Sequence, residues 1–175
     1  MIPEAKLEQT EAGQVPRGEG WFVVNAREAA WHDGVFGAYT RFEGDVRFAQ
    51  IGINIGVLQP GQPTCMYHGE DEQEDFLVLH GECLLLIEGE ERRLRAWDFV
   101  HCPAWTQHVF VGAGDGPCAV LAIGGRSGGD VIYPESELAQ RHNAGVETET
   151  TDPREAYASM PDDADVPFRP GWLPG

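Results

Sequence analysis

GQPTCMYHGEDEQEDFLVLHG (Gly61–Gly81) and WDFVHCPAWTQHVFVG (Trp97–Gly112) decide how this chain is read. In the first, Pro60-Gly61 marks a turn and residues 63–70 resume as a strand. Asp71 to Gln73 form an acidic loop, and Phe76 to Leu79 make a short buried strand that stops at His80-Gly81. In the second, Pro103 separates one strand from another that runs through His108 to Val111. Between the two stretches, CLLLIEGEERRLRAWDFV reads as a hairpin around Glu88-Gly89, whose glycine supplies the positive φ of a tight turn. Upstream, Val46 to Leu58 alternates: Ile51, Ile53, Ile55 and Val57 take one face, Gln50, Gly52, Asn54 and Gly56 the other. WFVVNA from Trp21 and residues 35–43 add strands before it, and Cys118 to Ile123 adds one after. Many short strands with turn signals at regular spacing predict an all-β sandwich or barrel.

The chemistry lies in the same stretches. On a strand, residues two apart point to one face, so His68 and Glu70 converge. Alone, such a pair is most often a surface hydrogen-bonding pair. Glu74 follows closely enough for a short loop to return its carboxylate, and His108 offers a second imidazole from another strand. Two imidazoles and two carboxylates form a mixed nitrogen and oxygen set for a divalent metal. If His68 faces inward, strand parity takes Met66 and Thr64 with it. His108 takes Phe110, and Val100 and Cys102 point inward, leaving His101 outside. These residues are core first and pocket walls second.

Gly61, His68, Glu70, Glu74 and Gly81, followed by Trp97-Asp98, Pro103, Trp105, His108 and Gly112, resemble the two motifs of the cupin superfamily, in the manner of its cupin 2 conserved barrels. The resemblance implies a double-stranded β-helix, or jelly-roll barrel, with N-terminal strand additions and a short helical and extended C-terminal tail. It implies one divalent metal ion, Mn, Fe or Zn, held by His68, Glu74 and His108, with Glu70 either a fourth ligand or a base beside the metal, and with Glu70 or Glu74 moving a proton. It departs from the family at Glu70, which stands where a second histidine is usual. The gap before His68 is one residue longer, Trp97 replaces a glycine, and Gly112 replaces an asparagine. Trp105 replaces the turn glycine, at a cost of about 1–2 kcal/mol if φ stays positive. That predicts a turn of altered shape, with the indole either at the barrel mouth or packed outward on a partner. The chemistries the resemblance offers are dioxygenation, isomerisation, decarboxylation and lyase-type elimination on a small oxygenated molecule. A non-catalytic ligand-binding or sensing barrel stands beside them, because fold does not dictate function.

Composition bounds the rest. The chain has 175 residues, with 12 basic and 29 acidic side chains and a formal net charge of -17. That length builds a core without disulfide staples. The acidic balance argues against nucleic acid and against anionic membrane surfaces. The single lysine, Lys6, and the lack of a motif arginine disfavour a phosphosugar unless Arg41, Arg47 or Arg126 lines the mouth. The four cysteines lack paired spacing and read as reduced thiols of a cytoplasmic protein. The expected organisation is an N-terminal arm (1–20), a barrel (21–130, motif core 61–112) and a C-terminal region (131–175). That last region carries short helices near Ser136–His142 and 153–160 and a proline-rich tail. The tail packs either on its own domain or around a second subunit. The apolar isoleucine face suits a homodimer, and a small-molecule ligand is the expected partner.

Overall fold

The computed structural model describes residues 1–175. Its strands are β1 (Lys6–Thr10), β2 (Gly13–Arg17), β3 (Trp31–Gly34), β4 (Gly37–Thr40), β5 (Ile51–Leu58), β6 (Gly69–Glu70) and β7 (Glu74–His80). They continue as β8 (Glu82–Ile87), β9 (Glu90–Arg95), β10 (Phe99–Cys102), β11 (His108–Ala113), β12 (Cys118–Gly125), β13 (Val131–Ile132) and β14 (Ala164–Val166). Two short helices, α1 (Glu137–Arg141) and α2 (Pro153–Ala156), lie between β13 and β14. A seven-stranded antiparallel sheet of order β10-β7-β12-β5-β4-β3-β14 faces a three-stranded sheet of order β11-β8-β9. This is the expected all-β jelly roll.

The alternation of β5 is resolved by what lies on each side. Leu58 is buried among Phe76, Val78, Leu85, Phe110 and Val120, which fill the space between the sheets. Asn54 and Gly56 therefore share the inner face, and Ile51, Ile53 and Ile55 the outer one. Part of that outer face is covered by the chain itself. Trp31, Ala38, Val57 and Ala119 pack with Trp172, and Phe168 and Leu173 join them. The Trp31 and Trp172 rings lie 5.1 Å apart. The tail thus closes on its own domain.

Several strands differ from the sequence reading. Residues 1–20, expected as an N-terminal arm, contain the β1–β2 hairpin, across which Glu8 and Arg17 form an ion pair. Its few apolar side chains hid it. The segment from Trp21 to Ala26 is not a strand; Trp21 and Val23 are exposed and the sheet offers them no place. β4 stops at Thr40, and Phe42 beyond it adopts a φ of 59°. Residues 64–67 are bends rather than strand, so the parity drawn from His68 does not hold there. The turn before β9 has positive φ at both Glu88 and Gly89, at 49° and 78°. Each helix starts on a capping side chain. Ser136 accepts from the Ala139 amide, Asp152 accepts from the Arg154 amide, and Pro153 opens α2. α2 ends at Ala156, short of the expected 160.

Candidate metal centre

The two histidines meet through the backbone. His68 and His108 form an antiparallel bridge, with the His108 amide donating to the His68 carbonyl at 2.8 Å. Their rings lie 5.3 Å apart, and both residues are buried. Each Nδ1 sits beside a backbone carbonyl, Met66 O at 2.8 Å for His68 and Thr106 O at 2.9 Å for His108. Nδ1 donates there, which leaves each Nε2 aimed at the same space. Glu74, the first residue of β7, brings a carboxylate oxygen to 3.4 Å from His108 Nε2 and 4.0 Å from His68 Nε2. One donor atom from each of His68, Glu74 and His108 lies within 4.8 Å of the others. Glu70 approaches from the rim, 3.4 Å from His68 Nε2, and its side chain is half-exposed.

The surroundings set the charges. Burial, reinforced by the Glu70 charge, pushes the Glu74 carboxyl up to about 7. Glu70 is held below the usual carboxylate range, first by its contact with His68. Burial lowers His108 to about 4, and the neighbouring His68 adds to that. Burial also opposes charge on His68, but Cys65, Glu70 and Glu74 outweigh it and raise the imidazole above its ordinary value. The centre is therefore a compact group sharing too few protons among too many acceptors, a condition that a cation relieves.

The other expected pocket residues separate. Phe110 packs on Phe76, whose ring is 5.1 Å from that of His108, so both lie beneath the centre. Cys102 sits opposite Glu74 across β10 and β7 and is buried; burial pushes its thiol up to about 12. Met66 turns away from Phe110, into a cluster with Tyr133, Val146 and Ala156. Trp105 is half-exposed at the rim and keeps a left-handed φ of 70°, so the turn is retained and the residue bears the strain. Its amide donates to the Glu70 carbonyl at 2.5 Å, which fixes Glu70 in place.

One neighbour had no signal in the spacing. Tyr133, buried, places its ring 5.9 Å from that of His68 and stacks edge-on against Tyr157. It arrives because β13 pairs with β6, Val131 opposite Glu70. No motif links the C-terminal region to His68. Beside Tyr133, a cleft of about 210 Å³ is lined by Glu70, Asp71, Glu72, Asp130 and Pro153. Arg41 and Arg47 lie elsewhere, and Arg126 is engaged with Glu43, so the mouth is acidic.

Comparison with known proteins agrees with this architecture. Residues 54–124 match the cupin domain family. A polyketide cyclase, RemF of Streptomyces resistomycificus, superposes with a TM-score of 0.55 at 13% identity, over 63% of this chain and 83% of that one. A cupin 2 domain-containing protein of Halorhodospira halophila gives 0.50 at 15% identity, over 61% and 75%. A candidate sugar phosphate isomerase of Acidithiobacillus ferrooxidans is 27% identical, with a TM-score of 0.44, over 48% of this chain and 55% of its own length. This chain thus spans little more than half of that protein. No curated protein matches the sequence. With the matched residues running from the inner face of β5 into β12, and both histidines between them, this part of the chain is a cupin domain.

Proposed function

We propose that His68, Glu74 and His108 hold a divalent metal ion and that the protein is a metal-dependent enzyme acting on a small oxygenated molecule. The observation that carries this reading is the convergence of two backbone-anchored imidazoles and one buried carboxylate within 4.8 Å. The donor set is mixed nitrogen and oxygen, which fits Mn, Fe or Zn. A bound ion of this kind supplies Lewis-acid polarisation, or redox chemistry, to oxygens of a substrate.

The chain's own residues do the rest. Phe76 and Phe110 close the inner side and exclude water. Glu70, at the rim and ionised, is the group placed to take a proton from a substrate in the cleft. Asp71, Glu72 and Asp130 around that cleft disfavour an anionic substrate, so the reading points to a neutral one such as a hydroxylated or carbonyl compound. The four cysteines are unpaired, which supports placement in the reducing cytoplasm. We further propose that the protein pairs with a second copy through the part of the outer sheet face that the tail leaves open, where Ile51 and Phe99 are exposed.

Metal content by plasma mass spectrometry tests the centre, on protein purified without a metal-affinity tag. Wild type is expected to carry one metal ion per chain, and His68→Ala and His108→Ala to lose it. A metal-free wild type that also fails to take up added Mn²⁺, Fe²⁺ or Zn²⁺ overturns the reading.

A further inference from the structure

Away from the metal centre, the structure holds a second cavity, of about 590 Å³. Its walls are the β1–β2 hairpin and the loop 41–47 that leaves β4. The walls are joined where the Gly18 amide donates to Asp45 at 2.9 Å, and where Gly44 lies against the Pro16 carbonyl with no room for a side chain. The chain has only 12 basic residues, yet Arg17, Arg41 and Arg47 all line this cavity. Arg17 is committed to Glu8. Arg41 reaches the Tyr39 hydroxyl at 3.3 Å and makes no ion pair. Arg47 makes none either. The lining carboxylates, by contrast, are all engaged: Glu43 by Arg126, Asp165 by His32, Asp45 by the Gly18 amide.

A second observation is independent of charge. Thr40 lines the same cavity and is 1% exposed, and its Oγ1 is the one buried side-chain polar atom without a hydrogen-bond partner. Two positions on, Phe42 holds a left-handed φ of 59°, a conformation a bulky side chain keeps only where its surroundings impose it. Two guanidiniums without an ion pair, one of them held only by the Tyr39 hydroxyl and ring, an orphaned hydroxyl and a strained backbone around one cavity point to an acceptor-rich ligand.

We propose that this cavity binds a small organic monocarboxylate, its carboxylate on Arg41 and Arg47, its oxygen in reach of the Thr40 hydroxyl, and its apolar body against Val15, Val24 and Ala29. Planar guanidinium groups match a carboxylate in two-point contact. The lining sets three carboxylates against three guanidiniums, so it has no excess positive charge to hold a dianion such as phosphate. The site uses no residue of the metal centre.

Amide NMR spectra of the full chain, titrated with sodium benzoate and sodium acetate, test it; benzamide and inorganic phosphate run in parallel. The carboxylates are expected to give saturable shifts at the amides of Thr40, Phe42 and Arg47, and benzamide and phosphate to give none. Arg41→Gln and Arg47→Gln should each weaken benzoate roughly tenfold. Both side chains are exposed, so the fold is expected to survive, as checked by circular dichroism. Thr40→Val should weaken benzoate severalfold. The proposal is overturned if neither carboxylate saturates, if benzamide or phosphate binds as tightly, or if benzoate affinity is unchanged in these variants.

Discussion

Trp97 and Trp105 occupy backbone positions, at φ 76° and 70°, where a side chain costs about 1 kcal/mol or more relative to glycine. Trp97 is largely exposed and loses little packing if removed. Trp97→Gly is therefore expected to raise the unfolding free energy by roughly 0.5–1 kcal/mol, read from the urea midpoint. The two carboxylates at the centre divide by the same kind of local argument. Glu74 lies between both Nε2 atoms, whereas Glu70 touches only His68. Glu74→Gln should abolish metal retention and Glu70→Gln should keep it, by mass spectrometry. At this scale the sequence was most informative, because His68, Glu74 and His108 are spaced as strand starts and ends require. Tyr133 was hidden because only a tertiary pairing, β13 on β6, brings it to His68.

Single elements show why periodicity succeeds in one place and fails in another. β5 alternates and is a strand because both of its edges are hydrogen-bonded, to β4 and β12. Residues 64–67 read as strand in the sequence, but their backbone is diverted. The Met66 amide donates to the Tyr157 hydroxyl and the Tyr67 amide to the Ala144 carbonyl. Those partners lie in the C-terminal region, which no local pattern reveals. The loop after β4 is held by one ion pair: Arg126, at the end of β12, donates to both Glu43 oxygens and to the Phe48 carbonyl. Burial works against charge on Glu43, but Arg126 outweighs it and lowers the carboxyl below its ordinary value. A depressed folded-state value means that the stability is present above the unfolded value. It is lost as pH falls from about 4.5 through the lowered one. Glu43→Gln is expected to cost about 2–3 kcal/mol at neutral pH and to flatten the acid limb of the stability curve, measured by urea unfolding at stepped pH.

At the level of the whole molecule, the outer face of the large sheet is divided between the chain's own tail and an open apolar remainder. The remainder sets the association test. Ile51→Glu and Phe99→Glu are expected to convert a particle of twice the chain mass to one of single mass in sedimentation, without loss of the metal. The covered half sets a stability test, and Trp172→Ala should cost roughly 3–4 kcal/mol. It also has a consequence for how the chain is made. β14 and Trp172 close over β3 and Trp31, so residues early in the sequence wait for residues more than 130 positions later. During synthesis Trp31 stays uncovered until β14 and Trp172 have left the ribosome. A chain arrested between β3 and β14 would display a greasy indole instead of a sealed surface, an aggregation hazard that lasts until the two strands meet.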